Sequence, residues 1–190
     1  MERPDIITEI AIDEGGIRRC IRRLAREIVT DYPVGSKVLA LVVLEGARRF
    51  AEDLLREFLA HTSARFELAY MSARSYHGGR ESSGSVEIEA ARIPDVRGRH
   101  VLVIDDVYDT GRTLEAVTRR LRSRGAQSVK TCVLLEKRKT HDEQVKLDFL
   151  GAKVFDRYLV GYGLDHEGRY RDLAYVGYAD AAESDASGPV

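Results

Sequence analysis

A chain of 190 residues can bury one substantial core and is short for two. Thirty basic residues nearly balance 31 acidic ones, for a net charge of −1, so no global field favours nucleic acid or a membrane surface, and a function that uses charge must be local. The start has no cationic segment followed by an apolar core, and no apolar run reaches membrane-spanning length. The two cysteines, Cys20 and Cys132, sit far apart among apolar neighbours, which suits reduced core thiols in a cytoplasmic protein.

From Glu14 to Asp31, Ile17, Cys20, Ile21, Leu24, Ala25, Ile28 and Val29 recur at three- and four-residue spacing, which predicts an amphipathic helix. LALVVL, Leu39 to Leu44, is apolar without alternation, as expected of a strand buried on both faces of a parallel sheet. Gly46 ends it, and Phe50, Leu54, Leu55, Phe58 and Leu59 mark a second helix. A strand is expected from Phe66, then a mobile loop over SYHGGRESSG, Ser75 to Gly84, which is small, polar and poorly anchored. Strands near Val86 to Ile88 and over VLVI, Val101 to Ile104, precede a helix from Leu114 to about Arg124 that Gly125 closes. SVKTCVLL, from Ser128, supplies another strand, and the small polar residues 181–190 should form a flexible tail behind a single domain of residues 1–180.

Strands alternating with helices imply a twisted, largely parallel α/β sheet that binds ligands at the carboxyl ends of its strands. Glu45-Gly46, Ser75-Tyr76 and the segment Asp105 to Thr113 are thereby expected around one crevice. In that last segment an apolar strand runs into two adjacent carboxylates, Asp105 and Asp106, and then into DTGRT. Thr110 and Thr113 offer hydroxyls, Gly111 permits close backbone approach, and the helix that follows points free N–H groups back at the turn, which makes a phosphate cradle. It is not a P-loop, since GxxxxGK[ST] is absent from the chain. A plain strand-to-helix turn with Asp109 as its cap is the alternative, but it leaves the adjacent buried carboxylates without a reason to be there.

VLVIDDVYDTGRTL, Val101 to Leu114, resembles the phosphoribosyl-diphosphate (PRPP) signature of type I phosphoribosyltransferases. VLEG at Val43 to Gly46, SYHGGRESSGSVEI at Ser75 to Ile88, VKLDFLG at Val145 to Gly151 and YLVGYGLDHEGRYRDL at Tyr158 to Leu173 extend the likeness. Together they resemble the hypoxanthine-guanine phosphoribosyltransferase family in order and spacing. The resemblance implies a mostly parallel sheet flanked by helices, with a small hood, mainly residues 145–178, over the base site. It also implies purine salvage, with transfer of the phosphoribosyl group of PRPP to hypoxanthine or guanine.

Carried over residue by residue, the resemblance puts the 5-phosphate of PRPP on Asp109, Thr110, Gly111, Arg112 and Thr113, and sets Asp105 and Asp106 toward the ribose hydroxyls and Mg²⁺. Asp109 becomes the general acid or base at position 7 of the purine. Glu45, Gly46 and Arg171 would meet diphosphate, Asp165 would share the metal, and Ser75 and Tyr76 would tip a lid. Lys146 would donate to the 6-oxo group, while Tyr158, with Leu159, would contact the purine. A homodimer or homotetramer is implied, with no nucleic-acid or membrane partner. The five histidines show no metal-ligand spacing.

One position departs from the pattern. Glu45 stands where the family often has lysine, in a loop whose backbone amides bind diphosphate and which often carries a non-proline cis peptide. A PRPP-fold regulator that binds RNA is a rival from another class, but such proteins lack the VGYGLD-type hood, and a chain of net charge −1 offers no evident RNA face. Hood chemistry disfavours an orotate enzyme and barely separates xanthine from guanine.

Overall fold

A computed structural model describes residues 6–32, 35–59, 65–75, 86–88, 93–141 and 145–180. In chain order the elements are β1 (Ile7–Ile12), α1 (Glu14–Asp31), β2 (Lys37–Leu44), α2 (Ala47–Leu59), β3 (Arg65–Ser75), β4 (Val86–Ile88), β5 (His100–Tyr108), α3 (Arg112–Ser123), β6 (Ser128–Arg138), β7 (Phe149–Phe155), β8 (Tyr158–Val160) and β9 (Val176–Ala179).

The main sheet has the order β4-β3-β2-β5-β6-β7. Its last five strands run parallel, and β4 pairs antiparallel at the edge. Strand β2 is apolar without alternation because both of its faces are covered. Val38, Ala40 and Val42 join the core beneath α1 and α2, whereas Leu39, Leu41 and Val43 join the core beneath α3. Strand β5 divides in the same way, with Leu102 and Ile104 on one side and Val101 and Val103 on the other.

Helix α1 buries Ile17, Ile21, Leu24, Ala25 and Ile28, the stripe expected from their spacing, and starts where the Asp13 side chain accepts the Gly16 N–H at 2.6 Å. Helix α2 contributes Phe50, Leu54 and Phe58 to the same core. Each such buried side chain is worth about 1.5–3 kcal/mol relative to exposure. Gly125 follows α3 at φ 81°, a left-handed conformation that suits glycine at a helix end.

Two features differ from a strict strand-helix alternation. Strand β7 returns parallel to β6 through residues 139–148 with no helix among the described residues. A second sheet, β1-β9-β8, is antiparallel and joins residues 7–12 to residues 158–160 and 176–179. No helix among the described residues is long and apolar enough to cross a membrane. Of the loop expected over Ser75 to Gly84, Ser75 belongs instead to β3 and residues 76–84 lie outside the described residues, as does the tail 181–190, while both cysteines are free thiols, Cys132 buried and Cys20 partly so.

Candidate active site

Strands β2 and β5 pair as far as Val42 and Ile104, and there their paths diverge. The chain leaving β2 enters α2 on one face of the sheet, and the chain leaving β5 enters α3 on the other. A crevice must open where neighbouring strands send their helices to opposite faces. Here it is a cleft of about 230 Å³, walled by Val43 to Gly46 on one side and by Asp105 to Gly111 with Thr113 and Leu114 on the other.

The acidic pair lies on the wall that β5 extends past β2. Asp105 is 7% exposed. Its Oδ1 accepts the Asp106 N–H at 3.0 Å, and Asp106 Oδ1 accepts the Val107 N–H at 2.7 Å. Burial, and then the neighbouring Asp106, push the Asp105 carboxyl well above its ordinary value. Burial also raises Asp106, against backbone hydrogen bonds and the Arg171 charge. Two such groups side by side are poised for a cation or for hydroxyl donors. Facing them is Gly46, where a Cβ would fall 1.7 Å from Asp106 Oδ2, so no other residue fits without displacing that carboxylate. The Leu44–Glu45 peptide is cis, as the resemblance leads one to expect. Glu45 itself is exposed.

The turn after β5 is not capped by Asp109. Gly111 is the N-cap of α3, at φ 87° and without a side-chain cap bond, and the Arg112 N–H donates to Thr110 Oγ1 at 3.4 Å, so that the amino end of the helix favours an anion in the cleft. Asp109 turns instead toward β6. Lys137 Nζ approaches its Oδ2 to 3.0 Å, and Lys139 forms an ion pair with Oδ1. Asp156 Oδ1 completes the cluster, 3.5 Å from Lys137 and 3.3 Å from Lys139. Burial alone would raise the Asp109 carboxyl, but Lys139 and Lys137 outweigh it and hold the group below its ordinary value.

The carboxyl-terminal segment packs against the Gly46 loop. Gly163, at φ 101°, packs so tightly that a Cβ there would lie 2.3 Å from the Gly46 carbonyl. Arg171 donates to the Gly163 carbonyl at 2.7 Å and pairs with Asp165 Oδ1 at 2.7 Å, while Asp165 Oδ2 accepts the Gly168 N–H at 2.7 Å. Tyr158, 41% exposed, donates its hydroxyl to the Asp165 carbonyl at 3.1 Å. Leu159 buries its side chain in the core beneath α1 and α2, leaving only its backbone for a ligand. Ser75 ends β3, at the same edge of the sheet as Leu44. Tyr76 lies outside the described residues.

Lys146 requires correction. Its side chain is 84% exposed and paired with Asp148 at 2.8 Å, while its carbonyl accepts from Thr131 on β6. Thr131 is six residues down the strand from Lys137, or about 20 Å at 3.3 Å per residue. Lys137 and Lys139 are the lysines at Asp109. Sequence reading missed them because EKRK, Glu136 to Lys139, looks like a solvated charge run. The usable signal was their place at the carboxyl end of a strand beside β5.

Among the described residues no three acidic, histidine or cysteine side chains are grouped as a metal site. The donor set nevertheless suits Mg²⁺, which takes one or two carboxylates and completes its shell with water and substrate phosphate oxygens.

Comparison with known proteins agrees with this geometry. The phosphoribosyl transferase domain family matches residues 11–167. A hypoxanthine-guanine phosphoribosyltransferase of Staphylococcus aureus is 33% identical over 171 residues, which cover 90% of this chain and 93% of that protein. The bifunctional protein TilS/HprT of Listeria monocytogenes is 39% identical over 171 residues, 90% of this chain, but the match spans only 26% of that longer protein. A crystal structure of a hypoxanthine phosphoribosyltransferase from Staphylococcus aureus superposes with a TM-score of 0.83 at 30% identity, covering 93% of each chain.

Proposed function

The chain belongs to the phosphoribosyltransferase family, and from that premise we propose that it transfers the 5-phosphoribosyl group of PRPP to hypoxanthine or guanine and releases diphosphate. The observation that carries this reading is the cleft between β2 and β5. It is lined by the amino end of α3, by a buried acidic pair, and by Asp109, a carboxylate flanked by lysines.

The 5-phosphate rests on the amides and hydroxyls of Thr110, Gly111, Arg112 and Thr113, where the amino end of α3 favours an anion. Diphosphate lies against the backbone of Glu45 and Gly46 and is met by Arg171. Asp105 and Asp106 face the ribose. As the bond from C1′ to diphosphate breaks and the bond from C1′ to purine N9 forms, the sugar ring becomes positive, and fixed carboxylates stabilise that charge. Asp109, ionised at neutral pH, takes the proton from N7 of the incoming base. The 6-oxo group sits on the same purine edge as N7, so Lys137, 3.0 Å from Asp109, is placed to donate to it. An ammonium group matches a carbonyl and not the amino group of adenine.

Tyr158 covers the ring of the base, and Ser75 and Tyr76 belong to the segment that shuts out water. Asp105, Asp106 and Asp165 supply the protein oxygens for Mg²⁺, which when bound offsets the charge of diphosphate. The enzyme works in the cytoplasm as a homodimer or homotetramer. Steady-state assays with PRPP and each of hypoxanthine, guanine, xanthine, adenine and orotate, with and without magnesium, test the reading. Transfer to orotate-like pyrimidines only, or to no base, would overturn it.

A further inference from the structure

Arg49 lies three residues past Gly46, on the first turn of α2, and it lines a separate cavity beside α1 and not the cleft. Its Nη1 donates to the Leu173 carbonyl at 2.7 Å and to the Arg171 carbonyl at 3.3 Å. The same two carbonyls accept the N–H groups of Tyr162 at 3.0 Å and Gly163 at 2.9 Å. The hood hairpin is thus hydrogen-bonded within itself and held again, at the same oxygens, from the helix that follows the Gly46 loop.

Tyr162 adds a second tie. It has φ 52° and lies between Gly161 at 100° and Gly163 at 101°. A bulky residue in the left-handed region persists only where its surroundings over-determine it. Both determinants come from α2. The Tyr162 hydroxyl donates to Asp53 Oδ2 at 2.6 Å, and the Arg49 guanidinium lies 4.7 Å above its ring. Simple core packing would account for a ring that is 4% exposed. It would not account for a charged group bonded to the backbone carbonyls of both Leu173 and Arg171.

We propose that Arg49, Tyr162 and Asp53 form a clamp that sets Arg171 and Gly163 against the Gly46 loop, so that they are positioning residues for diphosphate recognition without touching substrate. The clamp reaches the Arg171 backbone from outside, while the Arg171 side chain is fixed inside by Gly163 and Asp165. The inference rests on the phosphoribosyl-transfer reading for its substrate and on these contacts for its mechanism.

The test compares Arg49→Ala, Arg49→Lys and Tyr162→Phe with wild type in two measurements: calorimetric binding of inorganic diphosphate with magnesium, and KM for PRPP beside KM for hypoxanthine. Arg49→Ala should weaken diphosphate and PRPP about ten-fold, with kcat and the hypoxanthine KM within about two-fold. Arg49→Lys should recover part of the loss, because one ammonium can reach one of the two carbonyls. Tyr162→Phe keeps the ring, loses only the bond to Asp53, and should shift diphosphate in the same direction by less. It decides the matter if Arg49→Ala does not fold.

Unchanged diphosphate affinity in these variants overturns the clamp, as does an equal rise in both KM values, which a general loss of structure would produce. A wild type that binds diphosphate but transfers to no base overturns the enzymatic reading alone, and calorimetry still decides the clamp. A wild type that binds no diphosphate overturns both.

Discussion

Lys137 Nζ stands 3.0 Å from Asp109 Oδ2 although 28 residues separate the two, because β6 lies parallel to β5 and ends at the same rim. Lys137 is 13% exposed, so its charge is only partly screened where it faces the carboxylate. The pair puts a donor and a proton acceptor side by side at the wall of the cleft.

Asp109→Asn tests the proton acceptor. The amide keeps the shape of the turn and can still hydrogen-bond, but it cannot take a proton. Turnover should fall by about 10²–10⁴-fold while the KM for PRPP changes little. Unchanged kcat removes Asp109 from the mechanism.

The same residue carries a pH dependence of stability. Its folded-state carboxyl is held below the ordinary value despite burial, by Lys139 and Lys137. The ion pairs therefore stabilise the fold fully above the unfolded-state value, about 3.9, and the contribution is lost as pH falls through the lower folded value. Wild type should melt above Asp109→Asn at pH 6, and the two melting temperatures should converge as pH falls through the lowered folded-state value. A constant gap across that range would show that the lysines do not act through charge.

Lysine position separates two assignments. Lys137→Ala should weaken hypoxanthine and guanine together by about 1.5–3 kcal/mol, the range for a hydrogen bond to a charged group. Lys146→Ala, which breaks only an exposed pair with Asp148, should leave kinetics unchanged. The opposite pattern would return the 6-oxo contact to Lys146.

Glu45 is exposed, and the diphosphate contact proposed for its loop is made by backbone, not by its side chain. Glu45→Lys should therefore leave the KM for PRPP nearly unchanged at both low and high ionic strength. A several-fold tightening that fades with added salt would mean the carboxylate faces diphosphate after all.

Gly46→Ala addresses the closest approach in the cleft. The added methyl carbon would collide with Asp106 Oδ2 at 1.7 Å, so either the loop or the acidic pair must move. PRPP affinity should fall by at least about ten-fold, with far-UV circular dichroism unchanged. Wild-type affinity would show that the loop can give way without consequence.

Much of this site was legible in the sequence because its parts obey local rules. Continuous apolar residues marked β2 and β5, three- and four-residue spacing marked α1, and Asp105, Asp106 and Gly111 announced themselves in one string. The rest depended on register. Lys137 and Lys146 have the same charge and similarly polar settings in the sequence, and only the pairing of β6 with β5 decides which of them reaches Asp109. Strands β1, β8 and β9 escaped notice for another reason. They are 3 to 6 residues long, and in β1 only Ile7 is fully buried, so neither alternation nor an apolar run distinguishes them.

Ile7 pairs with Ala179, so the first described strand has its partner at the far end of the chain. During synthesis β1 must wait, unpaired, until residues 176–179 have been made. The parallel sheet with its cleft draws on strands already made by then. Contacts so distant along the chain are slow to form, and a chain cut short before Val176 would lack the strand that joins β1 to β8.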